Sequence, residues 1–159
     1  KPEDMNVYYS KELEEKYGAL GIELIVDFTI ENCKNSDEDY ICDRLVKYNL
    51  SKVPATQEIH FENINKKFLN TSGEIIAGCV ARMYCWNVLY IDILWVEENY
   101  RLQGLGSKLL EYVENTAKEK GCYLIHLDTF DFQAKDFYLK HGYEIFGILN
   151  DCPKGHCRY

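Results

Sequence analysis

The run Val88-Leu89-Tyr90-Ile91-Asp92-Ile93-Leu94-Trp95-Val96 is apolar on both faces of a would-be strand except at Asp92. A strand with no polar face cannot sit at a solvated sheet surface, so this run demands a central, buried position. The next thirty residues narrow the choice. After the polar stretch Glu97-Glu98-Asn99-Tyr100-Arg101-Leu102-Gln103, Gly104 opens a segment with Leu105, Leu109, Leu110, Val113 and Ala117 on one side. Lys108, Glu111, Glu114, Lys118 and Glu119 occupy the other. That is an amphipathic helix over 104–120, ended by Gly121. A buried strand feeding such a helix through a short loop is an α/β unit.

The remaining segments fit around this unit. Residues 3–18 are helix-compatible up to Gly18, and Ile22 to Ile30 is rich in β-branched residues and reads as a strand. Ser36-Asp37-Glu38-Asp39 resembles a capping box, with Ser36 as the cap, ahead of a helix that carries Ile41, Leu45, Val46 and Leu50 up to Pro54. Residues 58–69 alternate weakly, Asn70-Thr71-Ser72-Gly73 is a turn, 74–84 a strand, and Trp86-Asn87 turns the chain into 88–96. Beyond the long helix come a strand over 123–128, a short helix over 133–141 closed by Gly142, and a strand over 143–149. The order predicts a mixed α/β sheet, mostly antiparallel and flanked by helices, in a single domain over 1–159.

Composition excludes several classes. The net charge of −8 and the absence of a dense Lys/Arg cluster argue against a nucleic-acid partner. The longest uncharged apolar run, Ile75 to Ala81, falls far short of the ~20 residues needed to span a bilayer, so no membrane partner is expected. The seven cysteines are odd in number and scattered, which suits reduced thiols in a cytoplasm better than a disulfide framework. Cys152 and Cys157 flank His156, but no second ligand pair accompanies them, and no metal is expected. No signal peptide opens the chain; it starts at Lys1 without Met, so an upstream segment is expected, and a final strand is expected only to be starting at Tyr159.

The loop between strand and helix carries the chemistry. Glycines at 104 and 106 allow close approach to the backbone. The first helical turn offers unpaired N–H groups and a positive dipole end, and Arg101 adds a cation; together these describe a pyrophosphate cradle. A P-loop would need Gly-Lys-Ser/Thr, whereas the order here is Gly106-Ser107-Lys108. A dinucleotide fingerprint would need a third glycine where Leu109 stands. Taken alone, the two glycines are equally compatible with a helix start that merely packs tightly.

They are not alone. Arg101-Leu102-Gln103-Gly104-Leu105-Gly106 resembles the Arg/Gln-x-x-Gly-x-Gly/Ala signature of the GNAT superfamily of acetyl-CoA-dependent N-acetyltransferases. Downstream, Asp131-Phe132-Gln133-Ala134-Lys135-Asp136-Phe137-Tyr138-Leu139-Lys140-His141-Gly142-Tyr143 is similar to that family's Asn-x-x-Ala-x-x-x-Tyr-x-x-x-Gly-Phe segment, with Asp131 in place of the frequent Asn. The resemblance implies a GNAT-like fold and acetyl-CoA as cosubstrate. It further implies that Leu94, Trp95 and Val96 face the pantetheine arm, with a β-bulge near the end of their strand. Arg101, Leu102, Gln103, Gly104, Leu105, Gly106 and Ser107 would surround the pyrophosphate, and Asp131 would flank the cofactor.

The same resemblance makes Tyr138 the general acid for the departing thiolate and puts an oxyanion-binding N–H near Val96. Asp92 is the candidate base. Alternation places it on one face with Leu94 and Val96, and a buried carboxylate there would take a proton from an incoming ammonium through water; a purely structural, paired carboxylate is equally compatible. Glu97 and Glu98 read as solvated or substrate-attracting, His126 as an interior residue, and no cysteine is needed as a nucleophile. The expected partner is a small-molecule primary amine, cationic like an aminoglycoside, a streptothricin or a polyamine and drawn by the acidic surface. Acetylation of a peptide or protein amine, and a non-catalytic acyl-CoA-binding module, are the alternatives, and a homodimer is left open.

Overall fold

The computed structural model describes residues 30–159. The expected helix over 3–18 lies outside them, as does the strand over 22–30 save its last residue, Ile30, which carries no regular structure. The chain separates into two compact units, Lys1–Lys47 and Tyr48–Tyr159. Helix α1 spans Asn35–Lys52. Ser36 is not its cap, as expected from the sequence, but lies within the first turn. The Lys34 N–H, just ahead of the helix, donates to Asp37 Oδ2 at 2.8 Å, so a carboxylate reaching back does the capping without a hydroxyl.

The second unit is built on a mixed sheet. Strands β1 (Phe61–Asn63), β2 (Lys66–Leu69), β3 (Ile75–Tyr84), β4 (Val88–Val96) and β5 (Leu124–Leu127) compose it. β1 and β2 pair in succession along one edge of β3, β4 runs antiparallel along its other edge, and β5 lies parallel to β4. The weakly alternating stretch 58–69 is therefore two strands. They part at Ile64, whose N–H donates to Ala81 O, and at Asn65, whose side chain accepts from Ala81 N–H.

Helix α2 (Leu105–Glu119) packs across the sheet with Leu109, Leu110, Val113 and Ala117 fully buried. They meet Ala77, Cys79, Ala81 and Met83 from alternate positions of β3, and Leu89 and Ile91 from β4. Three of those four β3 residues are small, which lets the helix lie close to the middle of the sheet. Past β5 come α3 (Lys135–Lys140) and a hairpin of β6 (Leu149–Asn150) with β7 (Cys157–Arg158).

Two expectations need correction here. The strand predicted over 143–149 is regular only at Leu149–Asn150. Residues 143–146 stand off from β5 across a groove of about 630 Å³, so their backbone has no ladder to join. Tyr143 instead turns its hydroxyl to Glu114 Oε1 at 2.8 Å on α2. Nor is β4 buried along its whole length. Val88, Leu89 and Ile91 are buried, whereas Asp92, Ile93 and Trp95 are exposed, because β5 pairs with β4 only from Val88 to Ile91. Among the described residues no helix is long and apolar enough to cross a membrane.

Leu110 is completely enclosed between α2 and the sheet. Leu110→Ala is expected to lower unfolding stability by about 2–5 kcal/mol, measurable as a shift in urea midpoint with the slope retained.

Candidate active site

The site begins where β4 loses its neighbour. Pairing between β4 and β5 ends at Ile91 opposite Leu127. Beyond that point the Glu97 N–H still donates to Ile76 O on the β3 side, at 2.9 Å. Backbone direction alternates along a strand, so the N–H groups of Val96 and Leu94 point to the opposite edge, the one β5 has left. Among the described residues, nothing pairs with this stretch of strand edge.

Asp92 lies at the point of divergence. Opposite β3, the register passes from Ile91–Ala81 to Ile93–Val80 and skips Asp92, which marks a β-bulge. The bulge overturns the facing inferred from simple alternation. Leu89 and Ile91 belong to the core before it, Leu94 and Val96 pack against the same core after it, and Asp92 therefore does not share their face. Nor is Asp92 buried; it is exposed between the cleft along β4 and a second pocket on the other side.

The loop after β4 is folded by its own polar groups. A turn of 3₁₀ helix, Glu98–Tyr100, is capped by the Glu97 carboxylate, and Gln103 Nε2 donates to Asn99 O at 3.2 Å. Arg101 Nε donates to Val96 O at 3.1 Å, which ties the loop to the open strand edge and leaves the rest of the guanidinium toward the cleft. Leu102 and Gly104 both adopt positive φ, +60° and +80°. At Gly104 nothing lies within 4 Å of where a Cβ would stand, so the space above it is open.

Gly106 is different. A Cβ there would meet the Phe137 ring at 3.6 Å and Val96 Cγ2 at 3.7 Å. Those are ordinary contact distances, so Gly106 seats the helix start against β4 and α3 while its backbone borders the same cleft as Gly104. The first α-helical bond runs from Lys108 N–H to Gly104 O. The N–H groups of Leu105, Gly106 and Ser107 consequently have no helical acceptor, and they carry the positive end of α2.

The facing wall comes from the second matched segment. Tyr138 on α3 is nearly buried, edge-on to both Phe137 and Tyr143, and lines the cleft. Burial, with smaller contributions from Cys79 and Asp128, pushes its phenol up to about 12. It is thus a protonated group at any ordinary pH. Asp131 lines the same cleft, but its carboxylate lies 3.1 Å from His156 Nδ1, and its N–H donates to Cys157 O. His156, set by the sequence between Cys152 and Cys157, is in this way committed to the cleft wall.

Two residues escape sequence reasoning as parts of this site. Asp128, just past β5, accepts from Tyr90 Oη at 3.0 Å and from Arg158 Nε at 2.6 Å, so the terminal hairpin is pinned to the cleft rim. His141 places Nε2 3.0 Å from Ser107 Oγ and Nδ1 2.8 Å from Phe137 O. A carbonyl only accepts, so Nδ1 carries the proton and the ring orients the Ser107 hydroxyl. The only signal for His141 in the sequence is its place beside Gly142 at a helix end.

Together these walls bound a cleft of about 970 Å³, with an open strand edge on one side, a helix N-terminus at one end and a buried phenol across from them. Edge amides suit an extended chain bearing amides of its own, and the helix start suits a pyrophosphate. The residues present therefore fit a coenzyme A thioester. Known proteins agree. The family model described as "Acetyltransferase (GNAT) family" matches residues 33–143. An acetyltransferase from Bacillus cereus, solved by crystallography, is 42% identical, with a TM-score of 0.74 over 82% of this chain and 93% of that one.

Blasticidin-S acetyltransferase of Streptomyces morookaense is 39% identical over 52% of this chain, and the match spans 61% of that protein's length. A Bacillus anthracis protein described as a streptothricin acetyltransferase, solved in complex with acetyl coenzyme A, is 26% identical, with a TM-score of 0.53 over 60% of this chain and 58% of that one. The class is that of the acetyl-CoA-dependent acyltransferases. The chain belongs to the GNAT acetyltransferase family.

Gly104→Ala introduces a side chain at positive φ, where the space is reserved for approach to the helix start. The variant is expected to keep its circular dichroism spectrum and to bind acetyl-CoA at least about tenfold more weakly by calorimetry, in line with the ~1–2 kcal/mol cost of that backbone conformation. A second expectation concerns pH. The Tyr138 phenol has a folded value near 12 against an ordinary value of 10, so the native state holds this proton more tightly than the unfolded chain does. Its stabilising contribution is whole below pH ~10 and is lost as pH rises toward 12. Tyr143 is raised by burial and by Glu114 and acts in the same direction. Tyr138→Phe should flatten the alkaline fall in stability, as read by denaturant titration at stepped pH.

Proposed function

We propose that this chain transfers the acetyl group of acetyl-CoA directly to the primary amine of a small cationic molecule. The observation that carries the reading is the unpaired edge of β4 lying across one cleft from the buried Tyr138. Acetyl-CoA supplies the activated acyl group as a thioester. The backbone groups of Leu94 pair with the pantetheine arm, with Trp95 and Val96 beside it. The pyrophosphate rests on the N–H groups of Leu105, Gly106 and Ser107, with the guanidinium of Arg101 beside it and Leu102, Gln103 and Gly104 shaping the loop. Asp131, held by His156, sets the opposite wall rather than offering an unengaged carboxylate.

Bond making and breaking then follow from what faces the gap. The amine nitrogen attacks the thioester carbonyl, the C–N bond forms and the C–S bond breaks. Val96 N–H, on the free edge, is placed to bind the oxygen on which charge develops. Asp92, in the bulge at the mouth of the gap, takes the amine proton, directly or through water. Tyr138 gives its proton to the departing thiolate, and the raised value of its phenol keeps that proton available.

A small-molecule acceptor is supported by the similarity to blasticidin-S acetyltransferase, and a cationic one by the net charge of −8. The seven cysteines, all unpaired, suit a cytoplasmic protein. Thiol release from acetyl-CoA across a panel of amines tests the activity. Tyr138→Phe is expected to lower kcat by roughly 10²-fold or more while acetyl-CoA binding stays within a factor of about two. Unchanged kcat would remove Tyr138 as the acid. The wild-type rate should show no fall on the alkaline side through pH ~10, because the acid ionises only near 12.

A further inference from the structure

We infer that the acceptor carries an anionic group as well as its amine, and that Arg82 is the residue that selects for it. This rests on the acetyltransferase reading and specifies the chemistry of its acceptor. The core face of β3 is Ala77, Cys79, Ala81 and Met83, so Val80, Arg82 and Tyr84 project from the opposite face. There they border a pocket of about 450 Å³ with Phe61, Asn63, Tyr90 and Asp92. Asp92 also borders the cleft along β4, and it is through this bulge residue that a ligand in the pocket reaches the thioester.

Among the described residues that line the pocket, Arg82 is the cation and Asp92 the carboxylate. Arg82 Nε donates to Asn63 Oδ1 at 3.0 Å, which fixes the plane of the guanidinium and leaves its terminal nitrogens as a fork suited to a carboxylate. Arg82 stands directly across from Tyr90, and Asp92 comes two residues after Tyr90. With strands ~4.8 Å apart and a rise of at most ~3.4 Å per residue, the two Cα atoms are no more than about 8 Å apart, the bulge shortening the span. An ammonium at Asp92 and a carboxylate at Arg82 are then joined by a short carbon chain, the dimensions of an amino acid with a side-chain amine.

The walls between the charges are aromatic and held still. Tyr84 Oη is 2.9 Å from His126 Nε2, Tyr90 Oη donates to Asp128, and the rings of Tyr90 and His126 lie 5.0 Å apart. Rigid ring surfaces of this kind cover the aliphatic part of such a ligand.

Matched amines differing only in the anion test this: L-lysine, L-lysinamide and cadaverine, and carboxylate-bearing antibiotics beside their amides. Thiol release should give a kcat/KM at least about tenfold higher for the carboxylate member of each pair, the scale of a charge-assisted hydrogen bond. Arg82→Gln should erase that gap by raising KM for the carboxylate members, with the KM for acetyl-CoA retained. Equal or better use of the neutral members, or a gap that survives Arg82→Gln, would overturn the inference while leaving the acetyltransferase intact. Transfer to no amine at all by a protein that binds acetyl-CoA would overturn both.

Discussion

Everything at the site depends on one interruption of backbone hydrogen bonding. Parallel strands β4 and β5 pair as far as Ile91 and Leu127 and then separate. A polar backbone edge opened inside a fold is costly unless something satisfies it. Here the edge is exposed to a cleft, and its groups are the ones an extended, amide-bearing ligand would satisfy. The core explains how the interruption is tolerated. Helix α2 is anchored by Leu109, Leu110, Val113 and Ala117 to β3 and to the paired half of β4, so the sheet does not rely on the unpaired half for cohesion.

The second wall is assembled from distant parts of the chain. Arg158 reaches Asp128, Cys157 O accepts from Asp131, and Thr129 and Tyr159 exchange two backbone bonds. These contacts bind the β6–β7 hairpin to the segment between β5 and α3; Asp131 on that segment and Tyr138 on α3 both line the cleft. Tyr138 is in turn wedged between Phe137 and Tyr143, and Tyr143 is fastened to α2 through Glu114. The placement of the Tyr138 phenol is thus set by packing between these two rings, while its charge state is set by burial.

The parts of this arrangement legible in the sequence are those with a local signal. The apolar run 88–96, the 3.6-residue pattern from Leu105 to Ala117 and the glycine spacing locate strand, loop and helix within a residue or two. The Ala134–Tyr138–Gly142 spacing likewise locates α3. The illegible parts depend on which strands lie side by side. Period two says nothing about where a bulge slips the register, so alternation alone puts Asp92 on the wrong face. Ile93 and Trp95 look like core from their apolarity, yet both are exposed and line the cleft. The bonds of Asp131 to His156 and of Asp128 to Arg158 join residues far apart in sequence, and no pattern within a window reveals them.

The free edge of β4 also raises the matter of unwanted company. An exposed, unpaired strand edge invites pairing with another polypeptide. Here the exposed stretch is short, begins at a bulge that interrupts regular spacing, and ends where Arg101 has already taken the Val96 carbonyl. A foreign β-strand would find its ladder broken at both ends, whereas a slender ligand needs only the few groups between. The features that frame the cleft thereby also work against edge-to-edge aggregation.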